Sequence, residues 1–172
     1  MSKLKILVTG MCGRLGTVIG EKLNQDFELT SLDLTAKKGF NSFTGNISSL
    51  EEIQSAFFYQ DAVIHLGADP RGESTWESVL QNNIIGTRNV FEAARIANVK
   101  RIIFATTNHV VGFLYQQNNL YKSIFEGTLK DFNVTIPQIP NNSSHPDCLY
   151  AVSKLFGESL ASYYHDKFNM SF

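Results

Sequence analysis

The chain has 172 residues, a formal net charge of −1 and a hydrophobic fraction of 43%, which suits one globular domain and excludes disordered and fibrous classes. Its 15 Lys and Arg against 16 Asp and Glu leave no basic excess for a nucleic-acid partner. No apolar run approaches the roughly 18 residues that span a bilayer, and Met1 to Val8 lead into a glycine loop rather than a cleavage site; the sequence therefore predicts a cytoplasmic protein with no membrane partner. Short β-branched runs predict strands at Lys5–Thr9, Glu28–Leu34, Ser42–Ile47, Ala62–Gly67 and Arg101–Thr107. Amphipathic stretches separate most of them, the pattern of an α/β fold with a doubly wound parallel sheet. Between the first two strands, Leu15, Val18, Ile19 and Leu23 predict one apolar helix face. A second helix is expected from Ser48 or Ser49 as N-cap, with Glu51 and Glu52 in its first turn. Longer helices are expected over Trp76–Asn98 and Leu149–Lys167, and residues 113–147 form a long loop or insertion with weak periodicity, carrying Pro137 and Pro140. One domain, 1–172, accounts for the whole. Asn169 to Phe172 look like the approach to a further strand. Closure on a helix would leave Arg101–Thr107 as an edge, open to self-association into a homo-oligomer.

Val8-Thr9-Gly10-Met11-Cys12-Gly13-Arg14-Leu15-Gly16 sits where a strand turns into a helix. There, main-chain amides and the helix dipole meet the pyrophosphate of a dinucleotide. A tight turn with incidental glycines would read the same. Asp33 tips the balance, because it ends the second strand, where a carboxylate accepts the adenosine ribose hydroxyls and repels a 2′-phosphate. NAD is accordingly favoured over NADP, with Lys37 and Lys38 close enough to blur the distinction.

Two Tyr-x-x-x-Lys pairs occur, Tyr150/Lys154 and Tyr163/Lys167. Such a pair shares one helical face, so that an ammonium can favour phenolate and draw the tyrosine toward general-base duty. The second pair lies about 20 Å further along the helix, at the pole opposite the ligand crevice, and reads as a packing or solvated face. Thr107, Asn108 and His109 end the fifth strand at the crevice pole. His65 lies inside a strand and reads as structural. Asn83, in a pair of asparagines that helix propensity disfavours, is expected to hold water beside the site or to kink the helix. Cys12 and Cys148 lack metal-ligand spacing, so no metal site is expected, and the pattern suits a reducing compartment.

Together, Thr9-Gly10-x-x-Gly13-x-x-Gly16, Asp33, Gly45-Asn46-Ile47, His65-Leu66-Gly67-Ala68, Asn83-x-x-Gly86-Thr87, Thr106-Thr107 and Tyr150-x-x-x-Lys154 resemble the extended short-chain dehydrogenase/reductase family. These are the NAD-dependent epimerases/dehydratases, and Phe104 to Phe113 with Leu149 to Glu158 look most like its uronate dehydrogenases. The resemblance covers the amino-terminal two thirds of a family member. It therefore implies a Rossmann-like fold truncated after the helix following strand 5, with the carboxyl-terminal substrate-binding part absent and little turnover from this chain alone. It implies cofactor contacts from Gly10, Gly13, Arg14, Leu15 and Gly16, from Asp33, from Asn46 and Ile47 at the adenine, and from Leu66, Gly67, Ala68 and Asn83. Tyr150 would remove the anomeric hydroxyl proton of a uronic acid as hydride leaves for the nicotinamide, giving the lactone. Lys154 would bind the nicotinamide ribose and lower the Tyr150 pKa. Thr107 would bond the reacting oxygen, and Asn108 and His109 would touch the sugar acid. The alternatives are a nucleotide-sugar epimerase or dehydratase, and a non-catalytic NAD-binding module.

Overall fold

A computed structural model describes residues 3–131, 133–135 and 143–172; Pro137 and Pro140 lie outside them. Five parallel strands form one sheet in the order β3-β2-β1-β4-β5: β1 Lys5–Thr9, β2 Glu28–Asp33, β3 Asn41–Thr44, β4 Ala62–His65 and β5 Arg101–Phe104. The reversal of strand order at β1 creates a crevice at the carboxyl ends of the strands. Except for β1, each strand stops short of the span its sequence predicts. The surplus residues, Gly45 to Ile47, Leu66, Gly67 and Ala105 to Thr107, leave the sheet as the loops around that crevice.

Alternate residues of β1 face opposite layers. Leu7 packs with Leu32, Val63 and Ile102 against Val90, Phe91 and Tyr164. Ile6 and Val8 pack with Leu29 and Ile64 against Met11, Ile19 and Leu23. Helix α1 (Arg14–Leu23) covers the second layer with only half of its predicted apolar face, Ile19 and Leu23. Leu15 is 63% exposed and Val18 54%, whereas Gly16 and Gly20 are buried. A Cβ on Gly16 would lie 2.6 Å from Met11 Cα, so the helix approaches the sheet through its glycines and turns Leu15 outward.

On the other face, Ser49 caps α2 (Leu50–Ile53) by accepting from the Glu52 amide, and a 3₁₀ turn over Gln54–Phe57 follows. The helix expected over Trp76–Asn98 is divided into α3 (Trp76–Ser78), a π-helical stretch Val79–Ile85 and α4 (Gly86–Ile96). The asparagine pair lies in the π stretch, where a wider turn frees side chains for other partners. Within the long connection the structure forms α5 (Gly112–Gln117) and α6 (Asn119–Phe125). Helix α7 (Leu149–Phe168) ends on Asn169, which adopts the left-handed conformation at φ 55° that asparagine tolerates. The chain then runs back beside β5: Ile102 N donates to Ser171 O and Ser171 N to Lys100 O, both at 2.9 Å. The further strand suggested by Asn169 to Phe172 thus begins to pair, parallel, at Arg101. No helix among the described residues is long and apolar enough to cross a membrane.

Candidate active site

The β1–α1 turn is built on Gly10, at φ +73°, where a Cβ would stand 2.8 Å from Gly67 N. Only glycine combines that conformation with so close an approach. Beside the turn, Asp33 accepts from Cys12 N at 2.7 Å with Oδ2 and from Leu34 N at 2.8 Å with Oδ1. Main-chain amides therefore fix its carboxylate at the tip of β2, with a lone pair left on each oxygen. Lys37, one of the two lysines near Asp33, donates its ammonium to Thr17 Oγ1 at 2.7 Å.

A groove of about 750 Å³ opens at the crevice. Gly10, Gly13, Arg14, Leu15 and Gly16 form one wall, Asp33, Asn46 and Ile47 one end, and Leu66, Gly67 and Ala68 the side over β4. Eleven of the predicted cofactor residues thus share one cavity. Leu34, Pro70, Arg71 and Asn82 also line it; of these only Asn82, in the asparagine pair, carries a sequence signal. Asp69 holds Arg71 through both ends of its guanidinium, Nε at 2.9 Å and Nη2 at 2.7 Å. Those bonds, with one from Ser78 Oγ at 2.6 Å, keep the Asp69 carboxyl far below the usual carboxylate range despite its burial.

Asn83 does not line the groove; it lies in the π stretch that interrupts the helix. Its side chain is 1% exposed and fully occupied by protein: Oδ1 accepts from Asp69 N at 2.7 Å, and Nδ2 donates to Asp69 O and Ser153 Oγ at 3.0 Å each. It is a strut between the β4 loop and α7, set behind the groove wall.

His65 has the structural role its place in a strand predicts. It is 1% exposed, with Nδ1 2.7 Å from Thr9 Oγ1 and Nε2 3.2 Å from Thr87 Oγ1. Thr9 Oγ1 already accepts from Leu66 N and Gly67 N, so its proton points to Nδ1 and the ring proton resides on Nε2. Burial first, and the Lys154 charge second, lower the His65 pKa to about 3. This neutral chain pins the amide of Gly67 against the glycine turn.

The remaining candidates lie at the tip of β5 and the start of α7. Thr107 caps the 3₁₀ turn Asn108–Val111 by accepting from His109 N, and Asn108 and His109 are exposed on it. Tyr150 is half-buried in the first turn of α7. Lys154, 4% exposed, places Nζ 5.6 Å from the Tyr150 ring and 4.8 Å from the Phe104 ring. No carboxylate pairs with that ammonium among the described residues, and burial lowers its pKa to about 8. Burial also raises the Tyr150 pKa, seconded by Cys148. That is opposite to the direction expected from a neighbouring ammonium: at this distance desolvation of the phenol outweighs the attraction. Tyr163 and Lys167 form their own contact at 5.6 Å near the other end of α7, the pole opposite the crevice.

These features fit a dinucleotide. The glycine turn presents amides at a helix start, the Asp33 carboxylate faces the groove end, and a buried ammonium next to the tyrosine has no acceptor among the described residues. Comparison with known proteins agrees. Residues 6–172 match the model of the NAD dependent epimerase/dehydratase family. An L-arabinose 1-dehydrogenase (NAD(P)(+)) of Haloferax volcanii is 36% identical over 95% of this chain and 62% of its own length. A uronate dehydrogenase of Agrobacterium fabrum is 35% identical over 95% of this chain and 57% of its own. A point variant of uronate dehydrogenase from Agrobacterium tumefaciens, complexed with NAD, superposes with a TM-score of 0.77 at 32% identity, over 98% of this chain and 58% of that one. The chain thus spans about 60% of the length of these relatives. With the glycine turn, the acid at the tip of β2 and the tyrosine–lysine pair on one helix face, this protein belongs to the NAD dependent epimerase/dehydratase family, whose cofactor is NAD.

Proposed function

We propose that the protein oxidises a sugar at C1 with NAD, a uronic acid being the substrate and its lactone the product. NAD, when bound, supplies the hydride acceptor. Tyr150, as phenolate, takes the proton of the anomeric hydroxyl while C1 gives up its hydrogen with the electron pair, so that C1=O forms and NADH and a proton result. Lys154 hydrogen-bonds the nicotinamide ribose. Thr107 hydrogen-bonds the reacting oxygen. Asn108 and His109 hold the sugar acid, His109 through Nε2, because its Nδ1 faces Asp147. Gly10, Gly13, Arg14, Leu15 and Gly16 cradle the pyrophosphate. Asp33 binds the adenosine ribose and disfavours NADP, and Asn46, Ile47, Leu66, Gly67 and Ala68 complete the groove. The observation that carries this reading is the buried ammonium of Lys154 beside Tyr150, with no carboxylate paired to it among the described residues. The similarity to sugar dehydrogenases supplies the substrate class.

The test is NADH formation by the purified protein with glucuronate or galacturonate. Tyr150→Phe should lower the rate by about a hundredfold or more, the usual worth of a general base, and Tyr163→Phe should leave it within about twofold. The reverse outcome overturns the assignment. Conversion of a nucleotide sugar without net NADH would replace it with epimerase or dehydratase chemistry. NAD binding without turnover of either substrate would make the protein a non-catalytic module.

A further inference from the structure

The turn that carries His109 meets the start of α7 in a cluster of which only His109, through its other ring nitrogen, enters the reaction above. His109 Nδ1 lies 2.9 Å from Asp147 Oδ2 and 3.0 Å from Oδ1, and Cys148 follows Asp147. The imidazole nitrogen, a carboxylate oxygen and the Cys148 sulfur all lie within 4.8 Å of one another. Donor atoms around a tetrahedral zinc ion at 2.0–2.3 Å stand about 3.5 Å apart. Closing this cluster on an ion therefore takes side-chain shifts of about 1 Å.

We infer that His109, Asp147 and Cys148 form a three-ligand site for a borderline-soft divalent metal ion, Zn²⁺ by its donor set. Nitrogen, oxygen and sulfur together suit zinc, whereas Mg²⁺ and Ca²⁺ require oxygen alone. Three protein ligands leave a fourth position open. The two segments that supply the ligands are already locked together. His145 N donates to Val110 O at 2.9 Å, Phe113 N to His145 O at 3.0 Å and Asp147 N to His109 O at 3.4 Å. The carboxylate sits over Gly112, where a Cβ would collide with Asp147, so the glycine keeps its place clear. The His109 side chain is 52% exposed, which gives an ion a route in. On binding, the thiol proton leaves to solvent, and His109 coordinates through Nδ1 while its proton resides on Nε2. The ion ties the 3₁₀ turn to α7 two residues before Tyr150.

The site shares His109 with the proposed sugar oxidation, so its test reads metal binding and not turnover. Co²⁺ is titrated into the reduced, metal-free 172-residue protein. A thiolate-to-cobalt charge-transfer absorption should rise to saturation at one equivalent and disappear on adding one equivalent of Zn²⁺. Cys148→Ser should abolish it and Cys12→Ser should preserve it. His109→Ala and Asp147→Asn should each weaken binding about tenfold or more. Far-ultraviolet circular dichroism checks that each variant folds, and if Cys148→Ser does not, the other two variants decide. Absence of the band in the parent protein, its dependence on Cys12, or affinity unchanged in both His109→Ala and Asp147→Asn overturns the inference.

Discussion

Lowering the pH from 7 to 5 should cost the fold about 2 kcal/mol through His65 alone. In the folded chain the ring is walled in, accepts from Thr9 at Nδ1 and has its proton on Nε2 toward Thr87. A second ring proton has no acceptor, because Thr9 Oγ1 spends its own proton on Nδ1. The folded pKa of about 3 lies below the unfolded value of about 6.5. His65 therefore contributes stability that is complete above pH 6.5 and is lost as pH falls toward 3. Across pH 7 to 5 the unfolded chain goes from about one quarter to nearly full protonation at this residue while the folded chain stays neutral; the difference is about 2 kcal/mol. Asp69 and Glu92, whose carboxyls are held low by Arg71 and Arg95 respectively, lose their contributions only in more acid solution. Urea unfolding at the two pH values checks this: the midpoint should fall by about 1 M with an unchanged slope. His65→Asn keeps an acceptor for Thr9 and has no titrating ring, so its midpoint should be nearly pH-independent over the interval. An equal loss in that variant would refute the reasoning, since the labile group would then be elsewhere.

Gly16→Ala should destabilise the protein by about 1–3 kcal/mol in the same urea assay, because the added Cβ would meet Met11 backbone at 2.6 Å and must push α1 off the sheet. An unchanged midpoint would mean that the helix has slack at this contact. Lys154→Met should raise stability at pH 7 by about 2 kcal/mol. Relief of the depressed pKa is worth about 3 kcal/mol, and the lost contact with the Phe104 ring offsets about 1. The parent's stability should rise with pH from about 8, its folded value, to about 10.5, where the unfolded chain also releases the proton. A Lys154→Met variant less stable than the parent would refute the sign.

Much of this was legible in the residues, and the misses have physical causes. Strand positions could be read because Leu7, Val8, Leu32 and Val63 are completely buried and leave unbroken apolar runs. Strand ends could not, since Gly67 and Thr107 resemble strand residues but spend their backbone bonds on Thr9 Oγ1 and a 3₁₀ turn. The apolar spacing of Leu15 and Val18 misled because close packing through glycine carries no hydrophobic signal. Helices α5 and α6 are too short to show a periodic stripe. The glycine loop, Asp33 and the Tyr150/Lys154 pair were legible, being local patterns with fixed spacing. The cluster of His109 with Asp147 and Cys148 was not, because nothing in either segment records that the long connection returns to the same strand tip.

Three groups that break the ordinary rules of burial lie toward one end of the sheet. A lysine sits in the interior with no carboxylate beside it among the described residues, an asparagine spends its whole amide on tying a loop to α7, and a histidine is held neutral between two threonines. Each arrangement costs stability or forgoes some that an apolar residue would provide, and a fold of this size has only about 5–15 kcal/mol in reserve. His65 and Asn83 regain their cost by fixing the loop of Gly67 and Ala68, one through Thr9 and the other through the main chain of Asp69. Lys154 regains nothing of the kind: burial alone depresses its pKa, and among the described residues no carboxylate pairs with its ammonium. An uncompensated charge beside an otherwise braced groove is what a site prepared for a polar ligand requires, because binding then supplies the missing partner.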